Sequence, residues 1–230
     1  MRFLSVLVLL PSLSNAFTVD AMFKYANKED FFIIKGDKKQ EREYLYITLS
    51  ELSTPSEGKS GEMDFSPETV SSWPVLVQPS EIALDEGEQV KVKVIKNDNV
   101  PPSLNDRIFG LTFVPDVLKN QRDKTYNVMF GYKVWFIVPG QGPLTGDVTV
   151  IKDFHGGDYT VKNGTNKVLA VDINYCTQGE KRSNDCSNQL IAGPGSVKKV
   201  SLGQQIRTAE FSFYPGSENN KNNLVKKVRL

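Results

Sequence analysis

An all-β fold, with β-sandwich domains in tandem, is what this sequence predicts. Three observations carry the prediction. Apolar residues recur with a period of two through many short segments. Turn-forming residues separate those segments, as at Gly36-Asp37, Pro55-Ser56-Glu57-Gly58 and Asp85-Glu86-Gly87. No segment shows a long stripe of apolar residues at helical spacing. Short alternating strands at this spacing define sandwiches.

The elements follow in chain order. Met1-Arg2, an apolar run through Leu10, and small residues at Ser14 and Ala16 form the three parts of a secretory signal, with cleavage expected after Ala16. That run is too short for a bilayer, which takes about 20 residues. In Glu43-Tyr44-Leu45-Tyr46-Ile47-Thr48-Leu49, the residues Leu45, Ile47 and Leu49 share one face. Gln89-Val90-Lys91-Val92-Lys93-Val94-Ile95 alternates in the same way. So do Asp147-Val148-Thr149-Val150, Val168-Leu169-Ala170-Val171-Asp172-Ile173 and Ala209-Glu210-Phe211-Ser212-Phe213. Between the first two of these and the rest lies Pro139-Gly140-Gln141-Gly142-Pro143-Leu144-Thr145-Gly146, a bend or linker. It divides the chain into a signal (1–16), a first domain (17–139) and a second domain (144–230), each able to hold one core.

Residues 126–138 stand apart. The alternation there is apolar on both parities. Tyr126, Val128, Phe130, Tyr132, Val134, Phe136 and Val138 share one, and Met129, Trp135 and Ile137 the other. Thirteen residues exceed the usual length of about five or six for a strand. Such a strand is either central and buried on both faces, or an edge offered to another chain by β-strand addition.

Charge and chemistry narrow the function. Lys and Arg number 28 against 27 Asp and Glu, so no basic excess draws the chain to nucleic acid or an anionic membrane. Lys226, Lys227 and Arg229 form a basic tail, expected to be a loose solvated end. The two cysteines, Cys176 and Cys186, belong to an exported chain and are expected to pair across a polar hairpin loop. With the single histidine, His155, they are too few for a zinc site. Gly-x-Ser-x-Gly is absent, and Asp147, Asp153 and Asp158 do not match a calcium loop. Gly140-Gln141-Gly142 lacks the third glycine of a nucleotide fingerprint. No cofactor and no catalytic activity are expected. Asn163-Gly164-Thr165 fits a glycosylation acceptor but reads better as a hairpin turn.

Four segments, in order, resemble the periplasmic chaperones of the chaperone–usher pathway of pilus assembly, in its divergent, alternative branch. Residues 73–92 hold Trp73-Pro74, a strand, Pro79, a turn at Gly87 and a charged alternating strand. Asn105-Asp106-Arg107-Ile108-Phe109-Gly110-Leu111 is similar to the family's signature strand. Residues 126–139 correspond to the last strand of the first domain, ending in Pro139. Cys176 and Cys186, followed by Ile191-Ala192-Gly193-Pro194-Gly195-Ser196, resemble a second domain with a disulfide.

The resemblance implies two immunoglobulin-like β-sandwich domains at an angle and a periplasmic location. It also implies two kinds of partner, pilus subunits and an outer-membrane usher. The chaperone would lend its long strand to a subunit lacking one, until the usher exchanges it. Donor side chains would come from Tyr126, Val128, Phe130 and Tyr132, or from the opposite parity through Met129. Self-association is one way for the free protein to cap this strand. The family also holds the subunit's C-terminal carboxylate with an arginine and a lysine. Here the lysine position carries Val134, and the first strand has no arginine. Lys133 and Lys24 are the candidates, because a carboxylate calls for charge-assisted donors. The alternative function is a surface structural or adhesive β-sandwich protein of a pilus, which would carry its own alternating N-terminal arm.

Overall fold

The computed structural model describes residues 17–26, 29–37, 42–53, 61–116, 131–153, 157–176, 185–203, 205–216 and 223–230. The signal segment 1–16, His155, and the candidate donors Tyr126, Val128, Met129 and Phe130 lie outside the described residues.

The fold is two β-sandwiches in tandem. In the first, a four-stranded sheet runs β1 (Thr18–Val19), β3 (Phe31–Lys35), β8 (Gln89–Lys96), β6 (Val75–Gln78). Facing it, a six-stranded sheet runs β2 (Phe23–Tyr25), β10 (Tyr132–Val138), β9 (Arg107–Pro115), β4 (Glu43–Leu52), β5 (Glu62–Asp64), and β7 (Glu81–Leu84) also pairs with β4. The chain crosses between sheets at the residues joining β1 to β2, because β1 pairs with β3 and β2 with β10. A 3-10 turn at Pro67–Ser72 precedes β6.

The period of two sets the core. Phe32, Ile34, Val92 and Val94 from one sheet meet Leu45, Leu49, Phe109, Leu111, Phe113, Val134 and Phe136 from the other. Full burial of such a side chain is worth about 1.5–3 kcal/mol, so this layer dominates the domain's stability.

The second sandwich packs a sheet of β11 (Val148–Lys152), β12 (Asp158–Asn163) and β15 (Val197–Ser201) on one of β14 (Ser187–Ala192), β13 (Leu169–Asn174), β16 (Glu210–Pro215) and β17 (Lys226–Arg229). Its core is built on Val148, Tyr159, Val161, Val171, Ile173, Phe211 and Phe213. β13 and β14 form the expected hairpin, and Cys176 and Cys186 are disulfide-bonded just beyond its last pair, Asn174 with Ser187.

Two local expectations are corrected. Asn163-Gly164-Thr165 makes no hairpin, because β12 and β13 belong to different sheets. Asn163 is fully buried, which also removes it as a glycosylation acceptor. Its Nδ2 donates to the carbonyls of Lys167 (2.8 Å), Ala192 (2.9 Å) and Gly193 (3.1 Å). Its Oδ1 accepts from Thr165 N (3.0 Å) and Oγ1 (2.7 Å). An asparagine so engaged stitches a sheet crossover, where a hairpin turn would leave its side chain in water. The basic tail is not loose either. Lys226 and Lys227 lie in β17, where Lys226 Nζ donates to Asp147 (2.6 Å) and Val148 O (2.9 Å), and Lys227 pairs with Glu210 (2.9 Å). Pairing to β16 recruits this segment as a strand.

Candidate functional site

Strand β10 sits second from the edge of the six-stranded sheet. It is antiparallel to β9 along its whole length, Tyr132 opposite Phe113 through Val138 opposite Arg107. On its other side β2 runs parallel and covers only Trp135, Phe136 and Ile137. Trp135 N donates to Met22 O (2.9 Å), and Ile137 O accepts from Ala26 N (2.8 Å). Backbone groups of one parity point to one edge of a strand. Those of Lys133 therefore turn to the same edge, beyond the residues that β2 pairs. Among the described residues, β10 is therefore paired along its whole length on one side and along part of the other.

The side chains of β10 divide by parity. Val134 and Phe136 are buried in the domain's own core, and Tyr132 and Val138 pack against it. The Tyr132 ring meets Phe17 edge-on at 5.1 Å. Lys133, Trp135 and Ile137 take the outer face. Of the predicted donors, Tyr132 is the described one, and it faces inward.

The predicted lysines are separated by the thickness of the sheet. Lys24 stands opposite Phe136 on the inner face, with its side chain 6% exposed. Its Nζ donates to Asp20 (2.6 Å) and Glu29 (2.7 Å) and lies 4.8 Å from the Phe31 ring. Burial alone would lower its pKa, but the hydrogen bonds it donates to Asp20 and Glu29 outweigh it and hold the ammonium above its ordinary value.

Lys133, on the outer face, contacts Glu62 of β5 and lies 5.7 Å from the Trp135 ring. The same Glu62 oxygen accepts from Ser50 Oγ. Desolvation pushes the Glu62 carboxyl up, yet bonds from Lys133 and Ser50 bring it below the ordinary value. A Cβ at Gly110 would fall 2.5 Å from Ser50 Oγ, 3.1 Å from Trp135 Cζ3 and 3.3 Å from Glu62 Oε1. The glycine leaves the room in which the indole and the carboxylate lie against the sheet.

The lower end of this outer face meets the second sandwich. Ile108, Ile137 and Val168 form a buried cluster flanked by Tyr25, Leu52, Trp135 and Ile191. Asp106, 8% exposed, joins the two domains. Its Oδ1 accepts from Gly140 N (2.8 Å) and Lys167 Nζ (3.2 Å), and its Oδ2 from Val168 N (2.8 Å). Asp106 N donates to Asn166 O (3.0 Å), and Lys167 Nζ to Gly140 O (2.6 Å). One carboxylate thus ties the end of the first sandwich, the bend after β10 and the start of β13. Burial, with Asp106 nearby, pushes the Tyr25 hydroxyl up to about 12. Sequence reading passed over Asp106, Glu62, Ser50 and Tyr25. Asp106 alone carried a signal, as part of the Asn105-Asp106-Arg107 segment that prompted the family resemblance.

Among the described residues, no group of three or more His, Cys, Asp or Glu side chains is placed to hold a metal. No helix among them is long and apolar enough to cross a membrane.

This arrangement of two sandwiches is the fold of the fimbrial chaperones of the chaperone–usher type. The structure of the class 5 fimbriae chaperone CfaA matches with a TM-score of 0.53 at 11% identity, covering 93% of this chain and 97% of that one. A chain of the complex between the Salmonella enterica SafA pilin and the SafB chaperone gives 0.53 at 9%, covering 95% and 97%. The E. coli chaperone DraB gives 0.51 at 11%, covering 94% and 98%. The chain belongs to the family described as CS5 fimbrial protein N-terminal domain, whose model matches residues 19–139. An Escherichia coli relative, described as an uncharacterized 25.9 kDa protein in the CS5 3' region, is 42% identical over 220 residues, which is 95% of this chain and 96% of that one.

Proposed function

We propose that this chain is a periplasmic chaperone of fimbrial subunits that binds them by donor-strand complementation and hands them to an outer-membrane usher. It would be exported by its signal (1–16), use no cofactor and catalyse no reaction. The observation that carries this reading is β10, which among the described residues pairs along its whole length with β9 and over three residues with β2, Trp135, Phe136 and Ile137. The segment leading into it supplies the apolar donors, Val128 and Phe130 on one parity and Met129 on the other. Tyr132 faces its own core, so the handover from donor segment to structural strand falls near Gly131. Solved complexes of proteins with this fold, such as the SafB chaperone with the SafA pilin, have a subunit as partner.

The second reading is a structural component of the pilus, and the family's description as a fimbrial protein favours it. Such a component would carry an alternating N-terminal arm to give away. Here Phe17 is fully buried in its own core and Thr18–Val19 pairs with β3. Those residues complete this chain's own sandwich, which supports the chaperone.

Co-expression decides between them. Pilin subunits should be recovered from the periplasm with the chain present and degraded without it. Val128→Asp with Phe130→Asp should abolish recovery while circular dichroism shows both sandwiches intact. Equal stability of subunits without the chain would overturn the proposal.

A further inference from the structure

We propose that the outer face of the four-stranded sheet is a docking surface for an acidic polypeptide segment, one that runs extended and carries carboxylates at alternate residues. This face belongs to the sheet opposite β10, so the inference stands apart from the donor-strand reading.

The alternation of β8 turns Val92 and Val94 into the core and leaves Lys91, Lys93 and Ile95 outside. On β3 the outward residues are Phe31, Ile33 and Lys35. Register sets Lys91 opposite Ile33, Lys93 between Phe31 and Gln78, and Lys35 opposite Gln89. Opposite charges stabilise a cross-strand pair, yet no carboxylate stands across from any of these lysines. Elsewhere the chain pairs its cations, Arg42 with Asp85, Arg107 with Glu51 and Lys226 with Asp147. Asp20 and Glu29 are taken by Lys24. Among the described residues, Lys35, Lys91 and Lys93 have no carboxylate partner. Lys91 Nζ instead lies 3.6 Å from the centre of the Phe31 ring. Overall charge does not account for the lysines, because residues 17–139 hold more Asp and Glu than Lys and Arg.

Exposed cations kept together without counter-charges call for an anionic partner. A second copy docked by the same face would set lysine against lysine. A lipid surface fits poorly, because Phe31, Ile33 and Leu76 are half-buried and Ile95, at 41% exposure, offers little to insert between headgroups. Spacing points to a polypeptide. Lys91 and Lys93 stand two residues apart on one strand, about 7 Å. Alternate side chains of an extended peptide have the same separation, so carboxylates at i and i+2 meet both ammonium groups at once.

Two blocked peptides of equal length and composition test this on the full exported chain, with Glu alternating with Val in one and the glutamates grouped in the other. Titrated at low salt against the isotope-labelled protein, the alternating peptide should shift the amide resonances of β8. It should bind about threefold more tightly than the grouped one. Lys91→Gln with Lys93→Gln should weaken it about tenfold, and Lys91→Arg with Lys93→Arg should keep the affinity. Lys198→Gln with Lys199→Gln, on the exposed part of β15, should leave it unchanged. Should the paired glutamine variant not fold, Lys93→Gln alone must weaken binding in the same direction. Equal affinity for the two peptides, or binding that survives loss of both lysines, would overturn the docking surface. So would binding to phosphatidylglycerol–phosphatidylethanolamine vesicles with neither peptide bound. Pilin recovery plays no part in the titration, so its failure would leave the chaperone reading standing.

Discussion

At the scale of single residues, buried polar groups separate into those with partners and those without. Asn163 spends both ends of its amide on the crossover between β12 and β13. Removing it takes a donor from the carbonyls of Ala192, Lys167 and Gly193 and the acceptor from Thr165 N and Oγ1. Asn163→Ala should cost about 3 kcal/mol or more, read as an earlier urea transition of the second sandwich. Tyr25 is the opposite case. Its hydroxyl is buried without a hydrogen-bond partner among the described residues, so Tyr25→Phe should leave stability at neutral pH unchanged or slightly raised. The sign at high pH follows from its raised value. Stability from the neutral phenol is full below the ordinary value of 10.0 and is lost as pH rises toward about 12. Tyr25→Phe should flatten that alkaline loss in a series of denaturant melts.

At the scale of elements, the outer face of the six-stranded sheet depends on a missing side chain. Gly110→Val would drive a branched Cβ into Ser50 Oγ and the Trp135 ring. Overpacking of this kind costs about 1–3 kcal/mol, and displacement of the indole should shift Trp fluorescence before any unfolding. The disulfide acts on the β13–β14 hairpin, which it closes across a sequence separation of 10. Cys176→Ser with Cys186→Ser should lower stability by about 2–3 kcal/mol through chain entropy, with the first sandwich unaffected in the same melt.

At the scale of the whole molecule, the joint between the sandwiches is made, among the described residues, by an apolar cluster and one carboxylate. The apolar cluster of Ile108, Ile137 and Val168 is small, and Asp106 supplies directional bonds to the bend and to the second sandwich. Truncating one side of a buried charge pair typically costs about 3 kcal/mol. Asp106→Ala should spare both sandwiches yet widen the distribution of interdomain distances in small-angle X-ray scattering. Under the proposed function the donor segment leads into β10, whose end lies at this joint, so the same variant should also weaken subunit recovery without touching the strand.

What the residue order determined by itself is everything carried by local period and local chemistry. Leu45, Ile47 and Leu49 declared a buried face because alternation at a period of two is a property of one strand alone. Cys176 and Cys186 lie close enough in the chain to be paired without knowing its path. Tertiary structure alone decided what depends on which strands become neighbours. Lys24 and Lys133 looked alike as basic residues, yet register puts them on opposite faces of one sheet. Glu62 reaches Lys133, and Asp106 reaches Val168, across 71 and 62 residues of chain. No local pattern records such distances, because a side chain's partner there is fixed by sheet order and packing, not by its sequence neighbours. The apolar stretch of residues 126–138 was legible as the candidate donor segment. The carboxylate already seated on its lysine was not.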